Sequence, residues 1–415
     1  MTARHRPFSV VICVYTEDRW DDIRAAVGSV RRQSLPALET LLVVDHHPAL
    51  LARLVREYEK EAARGEVRVL PNAGPRGLSA GRNTGIAVAR GEIVAFLDDD
   101  AVAERDWLRV FDEAYDGPGA GGRVVDDRRV LAVGGRTVPA WASGARPAWF
   151  PEEFDWVVGC TYRGLPEGRV RVRNVLGGNA SFRRTVFDTV GGFATGIGRD
   201  GDKRPLGGEE TELCIRLTDA VPDATLLIDD RAVIHHRVPH ARERFGYFCS
   251  RTYAEGLSKA LVARSVGADK GLASERRYTT RVLPAGIARG LRDGVRGRPG
   301  GFGRAGAIVA GVALAAAGYL VGRYRTRGGG GSFTSGPITS GPAVTSATVT
   351  GATVSGSTVT GSTAVGSSAP GVVASPSAAS PSAASPSAAS PSAASPSAAS
   401  PSAAGRTALR RGAAA

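Results

Sequence analysis

The sequence predicts an α/β domain built on a doubly wound parallel sheet, with a basic helical segment and an unstructured tail behind it. Three observations carry this. Short apolar runs alternate with amphipathic stretches through the first hundred or so residues, which is the sequence form of successive βαβ units. Several of the runs end on acidic or polar residues, and ligand crevices of open α/β sheets lie just beyond the carboxyl ends of the strands. Composition then changes twice. Residues 241–327 hold 17 Arg or Lys against 5 Asp or Glu, and from 328 onward large apolar side chains become scarce.

In order, residues 8–15, centred on VVICVY, form the first expected strand, followed by the polar loop Thr16-Glu17-Asp18. A helix is expected over 21–33, where Ile23, Val27 and Val30 share one face at helical spacing. Residues 41–44 make a second strand ending at Asp45, 48–63 a helix, and 67–70 a third strand. The glycine-rich loop NAGPRGLSAGRNTGI then leads into a helix over 79–89. The fourth strand, 93–97, is an uninterrupted apolar run that stops at Asp98, Asp99 and Asp100, as buried parallel strands do.

Those three carboxylates repel one another unless a cation or donors compensate them. Hard divalent ions accept carboxylate oxygens and bring phosphates with them; the plainer alternative is an acidic turn capping the next helix. Tyr15 with Glu17, then Asp45, then Asp98–Asp100 all fall at strand ends, which the sheet brings to one edge. Arg82, in the glycine-rich loop, suits a diphosphate facing these acids. A dinucleotide-binding Rossmann domain needs G-x-G-x-x-G directly after the first strand, where this chain reads YTEDRW. That rival fails.

Residues 120–175 read as short strands and an aromatic-rich loop containing Trp141, Trp149, Phe150, Phe154 and Trp156. They serve either as core and lid packing or as an apolar wall for a ligand. A second acidic cluster, Glu209-Glu210 and Glu212, comes after a glycine pair, and His235-His236 closes another apparent strand. The four cysteines lie far apart, so reduced thiols in a cytosolic compartment are expected, without a disulfide or zinc site. The apolar stretch 10–15 is too short for a secretory signal, and none is expected.

The first 240 residues are close to neutral, so the positive charge belongs to the chain beyond them. The basic segment has neither interleaved aromatics nor a nucleic-acid motif, so no nucleic acid is expected as partner. An anionic membrane surface fits better. Residues 307–322, AIVAGVALAAAGYLVG, are uncharged between Arg304 and Arg323. A span, an interfacial helix and a buried helix all remain open, with membrane association favoured. The tail carries SPSAA six times over 375–404 and offers too little to bury to become ordered.

Residues 7–240 resemble the inverting family 2 glycosyltransferases. The resemblance rests on VVICVYTEDR, VVDHHP, GLSAGRNTGI, FLDDDA, GGNASFRR, GGF, GGEETELCIRL and the histidine pair, in that order. It implies a GT-A fold, a nucleotide-diphosphate sugar donor and a divalent cofactor, Mn2+ or Mg2+. By the same resemblance Tyr15, Glu17, Asp45, Asp98 and Asp99 hold the nucleotide and Arg82 its diphosphate, while Asp98, Asp100 and His236 hold the metal. His235 is the alternative at the last position. Asn179 and Glu209 would contact acceptor or sugar. Glu210 takes the place of the general base, where the family usually has Asp and this chain has one more methylene. VDHHPAL, GEETELC, HHRVP and EGLSKA look similar to the narrower group that extends polyprenyl- or dolichyl-phosphate-linked sugars, archaeal glucuronosyltransferases among them. The acceptor implied is a saccharide or a polyprenyl-phosphate-linked sugar, at the cytoplasmic face of the plasma membrane.

The expected organisation is therefore a catalytic domain over 1–240, a basic helical extension over 241–303, a membrane helix over 304–323 and a tail over 324–415. Two other functions compete with this reading. A nucleotidyltransferase would want a glycine-rich basic loop after the first strand, where this loop is acidic. A non-catalytic membrane adaptor would use the basic segment and tail alone.

Overall fold

β1 (Phe8–Val14) is buried at six of its seven positions, as a strand covered on both faces must be. β2 (Glu39–Val44) and β3 (Val67–Pro71) lie parallel to it on one side, and β4 (Ile93–Leu97) lies parallel on the other. The chain therefore reverses direction across the sheet between β1 and β4, and the crevice at such a switch point opens beyond their carboxyl ends. The computed structural model describes residues 5–116, 129–195, 208–266 and 277–328, so the repeat tail lies outside the described residues.

The connecting helices are α1 (Trp20–Arg31), α2 (Pro48–Glu57), α3 (Glu59–Ala63) and α4 (Leu78–Val88). The single helix expected over 48–63 is interrupted at the buried Tyr58, whose backbone leaves the helical region. α2 starts well because Pro48 occupies its first turn and His47 accepts from Leu50 N–H, satisfying a donor that helix starts leave open.

Beyond β4 the sheet becomes mixed. β5 (Ala101–Ala103), α5 (Trp107–Ala114), β6 (Val130–Trp141), β7 (Arg169–Arg171), β8 (Asn179–Arg183), α6 (Thr185–Val190), α7 (Glu209–Ala220) and β9 (Thr225–Val238) complete the domain among the described residues. The strand order is β3-β2-β1-β4-β8-β6-β9-β5, with β7 also on β9. β8 runs antiparallel to β4 and β6, while β5 and β7 pair with opposite ends of the long β9. Alternating side chains divide the core. Phe8, Val10, Ile12 and Val14 pack with Trp107 and Phe111 on one face, and Val11, Val43, Phe96, Phe182 and Phe193 form the other.

Three helices come next, α8 (Phe245–Val266), α9 (Leu283–Val295) and α10 (Gly301–Gly328). Phe248, Leu283 and Ile308 share a hydrophobic cluster with Phe150, Phe154 and Val158 of the aromatic-rich loop. A Cβ on Gly256 would meet the Ala315 carbonyl oxygen at 2.1 Å, and one on Gly318 the Tyr253 oxygen at 2.1 Å. The backbones of α8 and α10 touch, which glycine alone permits. Packing thus runs across the divisions expected at 240 and 303. By length and composition the stretch Gly301–Tyr324 could cross a membrane, and about a third of its apolar window is buried. Val309, Val312 and Leu320 remain exposed.

Candidate active site

The three aspartates come directly after β4 at the switch point, and the turn they make is fixed by β5. Ala101 pairs with His236 of β9, and Arg237 N–H donates to the Asp100 carbonyl at 2.8 Å. This register puts His236 Nε2 3.2 Å from Asp100 Oδ1. Successive residues of a strand face opposite sides, so His235 points away, exposed and 3.0 Å from Glu104. Asp98, Asp100 and His236 bring one ligand atom each within 4.8 Å of one another.

Arg19, just after β1, folds over the same turn. Its Nη1 lies 2.5 Å from Asp99 Oδ1 and 3.0 Å from Asp100 Oδ2, and its guanidinium stands 5.1 Å from the Tyr15 ring centroid. Burial works against the Asp100 carboxylate. The hydrogen bond and charge of His236, with the charge of Arg19, more than offset it and hold the carboxyl well below its usual range. Asp99 goes the other way, up to about 7, because burial and the neighbouring carboxylates outweigh Arg19.

The second acidic cluster opens α7. Glu209 is buried and Glu210 half-buried. Arg82 of α4 donates to Glu209 Oε1 at 3.1 Å, and its other nitrogen lies 3.8 Å from Asp98 Oδ1. One guanidinium therefore bridges the two acidic clusters. It is seated 5.2 Å from the Phe193 ring centroid and 5.7 Å from that of Phe96. Burial and the charge of Glu209 push the Glu210 carboxyl up to about 8.

The glycines of GGNASF explain how the clusters meet. A Cβ on Gly177 would stand 2.9 Å from Arg82 Nη1, and one on Gly178 only 2.2 Å from Asp98 Oδ2. Asn179, expected to contact the acceptor, instead has no exposed surface. It accepts from Trp107 Nε1 at 2.8 Å and donates to the Ala232 carbonyl at 3.2 Å. Both ends of its amide are taken, so it ties β8 to α5 and β9 and leaves the contact surface to its neighbours. Arg82, expected at the diphosphate, has 3 % of its surface exposed and lies between the two acidic clusters.

The remaining expected residues are distributed around the crevice. Tyr15 is 45 % exposed and available for a flat ligand. Asp98 keeps about a third of its side chain exposed. Glu17 lies outward, 3.7 Å from Arg53. Asp45 shapes the glycine-rich loop, accepting from Asn72 Nδ2 at 2.7 Å and Gly77 N–H at 3.0 Å, and each oxygen retains a further lone pair. Sequence reasoning does not single out Arg19, Gly177, Gly178 or Trp107. The arginine is visible there only as part of YTEDR.

The residues at the Asp98–Asp100–His236 cluster fit a divalent cation. Two carboxylates and an imidazole form a donor set suited to first-row ions. His236 Nδ1 and Asp99 Oδ2 are buried polar atoms without a protein hydrogen-bond partner, which marks a site with ligating capacity to spare.

The sequence profile described as Glycosyl transferase family 2 matches residues 9–191. A glucosyl-dolichyl phosphate glucuronosyltransferase of Haloferax volcanii is 34% identical over 254 residues, 61% of this chain and 76% of that protein. The chain belongs to glycosyl transferase family 2. This family 2 glycosyltransferase is also 36% identical over 107 residues to the uncharacterized glycosyltransferase EpsJ of Bacillus subtilis, 26% of this chain and 30% of the other. Among solved structures, the mannosyltransferase PcManGT from Pyrobaculum calidifontis, in complex with GDP-Man and Mn2+, matches with a TM-score of 0.45 and 16% identity. That match covers 75% of this chain and 87% of the mannosyltransferase. The enzyme has a mixed α/β sheet domain, and its family membership favours catalysis over a pure adaptor.

Proposed function

We propose that this glycosyltransferase is metal dependent and inverting, and moves a sugar from a nucleotide diphosphate to a hydroxyl of a saccharide carried on a polyprenyl phosphate. The observation that carries this is the bridged pair of acidic clusters: a metal-competent one at the switch point, joined through Arg82 to a second at the start of α7. Asp98, Asp100 and His236 would hold Mn2+ or Mg2+, which when bound neutralises charge on the departing diphosphate. Tyr15, Asp45 and Asp99 line the nucleotide side, with Glu17 at its rim.

Glu210 takes the proton of the acceptor hydroxyl. The acceptor oxygen then bonds to the anomeric carbon while the bond from that carbon to the diphosphate oxygen breaks. One base and one displacement invert the anomeric centre. Glu209, held by Arg82, keeps the cluster in register and borders the acceptor. The raised proton affinity of Glu210 suits a group that must accept a proton.

The name of the Haloferax relative supports an acceptor on a polyprenyl-type phosphate. Val309, Val312 and Leu320, exposed between Arg304 and Arg323, support attachment to an anionic membrane, at the cytoplasmic face of the plasma membrane. The test is a binding screen of nucleotide sugars with and without manganese on the full chain, followed by mass and anomeric analysis of lipid-linked products. Metal-dependent binding and an inverted product are expected. Undiminished transfer in excess chelator, or a retained anomer, refutes the proposal.

A further inference from the structure

A cavity of about 310 Å³ lies away from the acidic clusters, lined by Arg163, Gly164, Arg277, Arg281, Val282 and Arg289 among others. Four guanidinium groups and, among the described residues, no carboxylate line it. Arg163 is held by Glu152 and Arg289 by Glu153. Arg277 and Arg281 are exposed and have no ion-pair or hydrogen-bond partner among the described residues. These two are four residues apart, and Ala285 and Arg289 continue the same spacing, so the helical face turned to the cavity repeats one charge. Like charges at that spacing repel, and a bound anion would relieve the repulsion.

The opposing wall is closely built. Gly164 has φ +113, and a Cβ there would fall 2.8 Å from Val282 Cγ2. Only glycine allows both the backbone angle and the approach, and this contact holds Arg163 across from Arg281. The same loop leads back to the active site. A Cβ on Gly159 would stand 3.6 Å from His236 Cε1, and Thr161 N–H donates to the Thr137 carbonyl of β6. Four residues span at most about 14 Å, so Arg163 is tied within that distance of the backbone beside His236.

We infer that this pocket binds a phosphate or diphosphate group. Resting on the function proposed above, that group is the one linking the acceptor sugar to its polyprenyl chain. Guanidinium forks match phosphate oxygens in pairs. Further along α9, Leu291 and Val295 are exposed, as is Phe302 of α10, an apolar surface beside which a prenyl chain can run. Tyr278, between Arg277 and Arg281, is engaged by Trp156 and the Glu153 carbonyl, and its ring centroid lies 5.3 Å from that of Tyr162.

The test measures binding of farnesyl phosphate, farnesol and inorganic phosphate to the full chain and to R277Q/R281Q, with melting temperature as a folding control. The double variant should lose about tenfold or more in farnesyl phosphate affinity, because bonds between charged groups are removed. Its farnesol binding, melting temperature and manganese-dependent nucleotide binding should not change. If inorganic phosphate binds as tightly with the same arginine dependence, the phosphate site stands and its occupant is free phosphate. If the variant binds both phosphates like wild type, the inference is overturned, even where nucleotide binding succeeds. Should nucleotide binding fail in the wild type while arginine-dependent phosphate binding persists, the function proposed above fails and the pocket survives.

Discussion

Asp98–Asp100 and Glu209–Glu210 both gather carboxylates at the end of a regular element, but their surroundings treat the charge differently. At the end of β4, Arg19 and His236 are drawn over the turn, and Asp100 is held ionised. At the start of α7, Arg82 pairs with Glu209, while Glu210 sits half-buried beside that acid and is pushed up to about 8. On the proposed assignment, one side-chain chemistry thus yields a cation ligand in one place and a proton acceptor in the other. The environment, more than residue type, divides ligand from base.

The largest effect that would break this division is on Glu210. Glu210→Gln keeps the shape but cannot take the acceptor proton, and transfer should fall by about 10²–10⁴. Near-normal transfer in that variant, with loss in Glu209→Gln, would exchange the two roles.

A smaller effect is expected at the bridge between the clusters. Gly178→Ala would place a methyl 2.2 Å from Asp98 Oδ2, so Asp98 must move. Small displacements of positioned groups can cost up to about 10² in rate, and turnover should fall within that range without loss of fold. Wild-type turnover with unchanged metal dependence would show that Asp98 need not be held there.

The finest test concerns pH. A base with its carboxyl raised to about 8 works only when deprotonated, so kcat/KM should climb as pH rises toward that value. Burial is the first cause of the shift and Glu209 the second. Glu209→Gln should therefore move the rising limb to lower pH without returning it to the range of an exposed carboxylate. Stability carries the same sign. Because the folded value exceeds the unfolded one, this group's contribution is full below about 4.5 and is lost as pH rises through about 8. Melting temperature should fall less across that window in Glu210→Gln than in wild type.

Much of the donor side is legible in the sequence because its signals are local. An apolar run that breaks at Asp98 states both strand and strand end, and the alternation of a strand separates His235 from His236 once β5 supplies a partner. Arg19 is not legible, since nothing near YTEDR shows that its side chain reaches an acid 80 residues away. In GGNASF the eye falls on the polar Asn179, whereas the glycines set the geometry and the amide is buried. The aromatic-rich loop is legible as apolar but not as the seat of α8, α9 and α10. That pairing depends on helices about a hundred residues further on, whose glycines show their purpose only when two backbones meet.

The most direct measurement is the manganese-dependent affinity for a nucleoside diphosphate, by calorimetry, in wild type, Asp100→Asn and Glu210→Gln. Groups that merely orient a metal ligand typically change affinity by about 10–100-fold, so replacing the proposed ligand Asp100 should weaken binding by about 10²-fold or more. Glu210→Gln should bind as wild type does. Wild-type affinity in Asp100→Asn, or an equal loss in both variants, would contradict the division of the site into a metal cluster and a base.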